Sequence, residues 1–177
     1  MRSRVRVVTV RGNRRRQGWL AGTLRAGAVV AVAIATLSMT QNPAPAAETS
    51  VRLAVIANPA VPVKSLGGAE LAAIFSRATR TWKDGTAIRP LNLQPNSPER
   101  VAFDRAVLHL DPEQSAQFWV DRMVRGEEPA PKAIAKADIV VRVVPTLGGA
   151  IAYIPEDKVD DKVKVLAFVR DGKVVAP

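Results

Sequence analysis

Apolar and polar residues fall into alternating blocks from residue 51 onward. Val51–Ala57, VRLAVIA, is mostly β-branched and apolar, which predicts a buried strand. Asn58-Pro59 ends it, and Pro62 keeps the following loop extended. Leu71, Ile74 and Phe75 then recur at i, i+3, i+4, the spacing of one helix face. Gly67 sits near the N-cap of that helix and Glu70 near its third position, while Leu66 and Leu71 can staple its start. Thr81-Trp82 and Ala87-Ile88 flank Lys83-Asp84-Gly85, and Asp-Gly is a strong turn signal. A strand is expected over Thr86–Leu93, with Pro90 implying an edge position or a bulge.

The strand runs into a polar turn, Gln94-Pro95-Asn96, and Ser97 opens an amphipathic helix. Phe103, Ala106, Val107 and Leu110 give that helix one apolar face. A second helix starts at once, with Asp111 as N-cap, Pro112 at N1 and Gln114 at N3. Its apolar positions include Ala116, Trp119, Val120 and Met123, and Gly126 is its expected stop. Residues 127–131 read as a loop. Ile139–Val144, IVVRVV, fits a strand by propensity and a helix face by spacing, and Pro145 ends either one. Gly148-Gly149 precede a short buried strand, Ala150–Ile154. A last strand, Val163–Val169, closes on an Asp171-Gly172 turn. The order is that of an α/β domain with a mixed sheet flanked by helices.

Charge changes the picture at one end only. The chain of 177 residues carries a formal charge of +10, which would point to nucleic acid or membrane. Residues 1–46, however, hold eight Arg, no Lys and no acid. With those eight removed from 26 basic residues, 18 remain against 16 acidic ones. Arg2–Arg25 reads as a positive n-region, and Ala26–Leu37 as an apolar h-region of 12 residues. Ala44-Pro45-Ala46 is an A-x-A cleavage site. The expectation is a signal peptide over 1–46, cleaved after Ala46, and a single domain over 47–177 in the periplasm. The apolar run is short of the roughly 20 residues a spanning helix needs, so no stable membrane insertion is expected after cleavage. Arg14-Arg15-Arg16 before Trp19 and Leu20 leaves Sec and twin-arginine export both open. A nucleic-acid partner is not expected, because the Arg run is lost with the leader.

The chain offers no catalytic constellation. It has no Cys and one His, His109, which lies between two leucines without metal-ligand spacing around it. Glycine-rich nucleotide motifs are absent. Asp157, Asp160 and Asp161 are interrupted by Lys158 and Lys162 and do not form a calcium loop. No enzyme, metal or cofactor is expected. What remains is ligand binding at strand ends, with Ser97 the sharpest candidate. Its capping role uses the hydroxyl as acceptor. An anion would add to that through the helix dipole, worth about 0.3–1 kcal/mol per charge in exposed settings.

Three blocks carry a family resemblance. Leu71–Phe75 followed by Trp82-Lys83-Asp84 is similar to the L-x-x-I-F/Y-x-G-x-x-x-x-W-x-D block of periplasmic phosphate-binding proteins of ABC transporters. Ile88–Phe103 occupies the place of that family's strand, R-x-D-G-S-G-T turn and helix ending in Phe. Leu147–Tyr153 looks like its P-G-A-I-G-Y strand. The chain from about Leu53 to Phe168 thus resembles the second lobe of this family, within the type II periplasmic binding protein fold. The resemblance implies that Ile139–Val144 is helix. It also implies a small anion such as phosphate as ligand, with Ser97 on the phosphate-contacting Ser. Pro98 and Glu99 stand where the family has Gly and Thr, and Leu93 stands near its clamping Arg. Asn58, Ser97 and Arg100 are the candidate contacts, with Asn96 and Gly148 nearby. Only four residues separate Ala46 from Val51, so one lobe and an open half-site are expected. The alternative is a periplasmic protein-interaction module that has lost ligand binding and docks a partner or a second copy of itself.

Overall fold

The computed structural model describes residues 51–177. The expected signal peptide lies outside them.

Six strands form one mixed sheet in the order β3-β2-β4-β1-β5-β6. The strand β1, Leu53–Ala57, is antiparallel to both neighbours, β4 (Ala150–Pro155) and β5 (Lys164–Arg170). All five β1 residues are fully buried. That is why LAVIA carries no polar alternation: both its faces are covered. On one flank β5 turns into β6, Lys173–Val175, through Asp171-Gly172. Both turn residues have positive φ, 50° and 70°, as a two-residue hairpin with the twist of its strands requires. On the other flank β2 (Arg89–Leu93) runs parallel to β4 and to β3 (Lys132–Ile134).

The strand β2 is interior, against the edge position that Pro90 implied. Arg89 donates its N–H to Gly149 O at 3.0 Å, on the β4 side. Successive N–H groups alternate sides, so the donor that Pro90 lacks would face β3. Pairing with β3 starts only at Leu91. The proline therefore costs no ladder bond.

Helix α1, Gly68–Phe75, begins where expected, with Glu70 Oε2 accepting the Gly67 N–H at 2.8 Å. Its Leu71, Ile74 and Phe75 enter the core. Helix α2, Pro98–Phe103, continues into a π-helical turn, Asp104–Leu108, that ends on His109 in the left-handed region. Phe103 stacks on Tyr153, with centroids 3.9 Å apart, and meets Phe75 edge-on at 4.6 Å. Burial pushes the Tyr153 phenol far above its ordinary pKa, and its oxygen accepts the Leu93 N–H at 3.3 Å. Helix α4, Ala137–Val143, takes the helical alternative for IVVRVV.

Helix α3, Pro112–Val124, has the expected cap: Asp111 Oδ1 accepts from Gln114 N at 2.9 Å and Gln114 Oε1 accepts from Asp111 N at 3.0 Å. Its inward face is shifted one residue from the expectation. Ser115 is its only buried residue, and Phe118, Trp119 and Arg122 follow at i+3, i+4 and i+7, all half-buried. Val120, Met123 and Val124 face out, 46, 68 and 78% exposed. The chemistry on the inward stripe explains the shift. The Ser115 hydroxyl donates to the buried Asp104 carboxylate at 2.8 Å, and Arg122 lies over the Phe118 and Trp119 rings at 5.5 and 5.8 Å.

Candidate functional site

The carboxyl ends of β2, β3 and β4 point the same way. In open α/β sheets this is the end where ligands bind. The turn after β2 brings Ser97 there as N-cap of α2, its Oγ accepting the Arg100 N–H at 3.1 Å. Asn96 sits beside it, exposed, with φ 67°. Asn tolerates that left-handed geometry better than most residues, which suits it to the tight strand-to-helix turn.

A shallow hollow of ≈ 270 Å³ opens at Ser97, with Leu93 and Gln94 on one side and Lys136, Asp138 and Lys158 on the other. Lys136 is the N-cap residue of α4, whose start has no side-chain cap. Lys158 follows β4 in a single helical turn and donates to Asp138 Oδ1 at 2.7 Å. The Asp138 carboxylate beside it pushes the Lys158 ammonium above its usual pKa, and Lys158 holds the Asp138 carboxyl below the usual range. Glu99 adds a second carboxylate to the lining. Two cations and two anions therefore share the hollow.

The other candidates do not converge on it. Arg100 is buried and turned to the far flank of α2. Its Nε donates to Asp104 Oδ2 at 2.7 Å. With the Asn92 amide oriented oxygen-first, that oxygen accepts from Arg100 Nη1, and from Nη2 at 3.2 Å. The guanidinium is thus taken up by protein acceptors. Asn58 and Gly148 lie at the opposite end of the sheet, since Asn58 N donates to Ala150 O, level with Arg89 at the start of β2. From there the five residues of β2 span about 13 Å to Leu93. Asn58 is 7% exposed and fully engaged: Nδ2 donates to Val144 O at 3.1 Å and Pro145 O at 2.8 Å, and Oδ1 accepts from Ala60 N at 3.0 Å. It ties β1 to the end of α4.

Gly148 is exposed with open space around it, whereas its neighbour Gly149 is structural. Gly149 has φ 73°, and a Cβ there would lie 2.1 Å from Ala87 O. Its carbonyl accepts the buried Trp82 indole N–H at 3.1 Å.

The residues that sequence reasoning missed are Lys136 and Lys158, and Asp104 with Ser115. The i, i+4 spacing of Arg100 and Asp104 was a usable signal for the buried pair. Nothing local marked the lysines, because helix, turn and strand ends bring them to Ser97 only in three dimensions. Among the described residues, no group of His, Asp and Glu could hold a metal.

Comparison with known proteins shows what this arrangement is similar to. No family model matches the chain, and no curated protein matches it by sequence. Solved structures do. An ABC-type phosphate transport receptor from Vibrio cholerae superposes with TM-score 0.52 at 19% identity, over 64% of this chain and 44% of that one. A phosphate ABC transporter substrate-binding protein from Clostridium perfringens, with bound phosphate, gives 0.53 at 21% over 64% and 43%. PstS from Borrelia burgdorferi gives 0.52 at 16% over 66% and 47%. The chain spans less than half the length of each of these proteins. The described residues therefore have the fold of one lobe of a type II periplasmic binding protein, as the three sequence blocks implied.

Proposed function

We propose that the chain is an exported, single-lobe substrate-binding-protein-like domain that takes a small oxyanion such as phosphate in the hollow at Ser97. The position of Ser97 carries the reading: it stands where three parallel strands end, flanked by Lys136 and Lys158. The similar solved structures include phosphate receptors, which favours the same ligand class. Lys136 and Lys158, rather than Arg100, supply the positive charge, and Asn96 shapes the turn. Asn58 and Gly148 stand outside this site. The hollow is open on one side and Glu99 and Asp138 oppose an anion, so binding is weak, on the order of millimolar. The domain binds without catalysis. In this reading residues 1–46 are the signal peptide, cleaved after Ala46, and residues 47–177 work in the periplasm. Among the described residues no helix is long and apolar enough to cross a membrane.

Isothermal titration of the full chain with phosphate and with sulfate tests the proposal. Saturable heat is expected, and Lys136→Gln should lower affinity severalfold with an unchanged thermal midpoint, because Lys136 is exposed. Absence of heat at tens of millimolar would remove the anion and leave the second reading, a protein-interaction module. One observation favours that reading: the outward apolar residues of α3, with Met123 and Val124 the most exposed. Sedimentation that reports a dimer dissociated by Met123→Lys would support it.

A further inference from the structure

Four charged side chains line the hollow at Ser97, and only two of them are paired. Lys158 donates to Asp138 at 2.7 Å. Each member of that pair has a further neighbour of opposite charge. After Asp138 itself, Glu99 also raises the Lys158 ammonium through space. After Lys158, Lys136 also lowers the Asp138 carboxyl, together with Arg142. Neither Glu99 nor Lys136 comes within ion-pair distance of the pair, and among the described residues their side chains have no bonding partner. Glu99 is half-buried and Lys136 exposed, and both line the hollow. One free carboxylate therefore stands on the Lys158 side of the pair and one free ammonium on the Asp138 side. The Ser97 hydroxyl accepts the Arg100 N–H, and among the described residues its own proton has no acceptor.

The four lining charges sum to zero. Arg142 and Asp157, which act on the pair from outside the hollow, cancel as well. A plain anion such as phosphate gains from the lysines and is opposed by both carboxylates. A ligand with one group of each sign gains at both places, because complementary charge is met and no free charge is left opposed. Resting on the anion site proposed above, we infer that its preferred ligand is a small zwitterion, an oxyanion joined by a short spacer to an ammonium group. The oxyanion meets Lys136 and the Ser97 hydroxyl, and the ammonium meets Glu99. The ≈ 270 Å³ of the hollow suits so small a molecule.

Phosphate, propyl phosphate and phosphorylethanolamine, each titrated into the full chain and followed by the Ser97 and Lys136 amide shifts, test the inference. Phosphorylethanolamine differs from propyl phosphate by an ammonium in place of a methyl. It should bind about two- to fivefold more tightly, the scale of one exposed ion pair. Glu99→Gln should abolish that difference while strengthening propyl phosphate, which the carboxylate repels. Equal binding of the two by the unaltered chain, or a preference that survives Glu99→Gln, would overturn the zwitterion and leave the anion site standing. No saturable shift with any of the three would remove the anion site and the zwitterion with it. Glycerophosphorylethanolamine carries both charged groups as a lipid headgroup does. Binding tighter than that of phosphorylethanolamine would assign the zwitterion to a lipid source, and weaker binding to a free phosphomonoester.

Discussion

Arg100 separates a ligand-binding role from a structural one, and its removal has a calculable cost. Arg100→Met keeps the apolar stem and deletes the guanidinium. The Asp104 carboxylate, 3% exposed, is then left with the Ser115 hydroxyl alone, and Asn92 loses both donors. Breaking a buried ion pair from one side costs about 3–5 kcal/mol, because the surviving charge is desolvated without compensation. That is a large share of the roughly 5–15 kcal/mol that holds a domain together. Asp104→Leu should cost a similar amount by stranding the guanidinium. The double variant removes both charges and should recover about 2–3 kcal/mol relative to the sum of the singles. Urea denaturation of the four proteins at neutral pH measures this coupling. A loss below about 1 kcal/mol for Arg100→Met would mean that the Arg100–Asp104 pair does not hold the fold together. So would lost phosphate binding at unchanged stability, which would return Arg100 to the anion site.

Three further outcomes follow from single groups. Gly149→Ala combines a left-handed backbone, about 1–2 kcal/mol, with a methyl forced onto Ala87 O, about 1–3 more, so denaturant unfolding should show a loss of about 2–5 kcal/mol. Glu99→Gln removes a carboxylate from the hollow and should strengthen phosphate binding about 2–5-fold by titration. Arg170 grips Glu156 with two bonds, 2.6 and 2.9 Å, and holds its carboxyl below the usual value. A lowered folded-state pKa means that this contribution is complete above the unfolded value of about 4.3 and is lost as pH falls through the folded one. Glu156→Gln should therefore flatten the decline of the thermal midpoint below about pH 4.5.

Much of the fold was written in local patterns. The apolar run of β1, the caps at Gly67, Ser97 and Asp111, and the Asp171-Gly172 turn each reflect a short-range rule, and each appears where that rule puts it. Helix α4 needed more, since IVVRVV reads as strand by propensity and as helix by spacing, and only the resemblance resolved it. Strands β3 and β6 have three residues each, too few for a pattern to register. Pro90 misled because a missing donor matters only where a partner waits, and that depends on the register with β3. The face of α3 misled by one residue because a buried carboxylate on another element claims Ser115. Of the proposed anion site, Ser97 alone was legible. Asn58 follows β1, whose antiparallel course ends at the other end of the sheet, and Gly148 lies there too because it precedes β4, which runs parallel to β2. Lys136 and Lys158 arrive from separate connections that only the assembled sheet brings together.

Amide chemical shifts of the full chain titrated with phosphate report directly on occupancy of the hollow at Ser97. Saturable movement is expected of the Ser97, Lys136, Ala137 and Lys158 amides, with Asn58, Gly148 and Gly149 unmoved at the far end. Movement centred on Asn58 and Gly148, or none up to tens of millimolar phosphate, would contradict it.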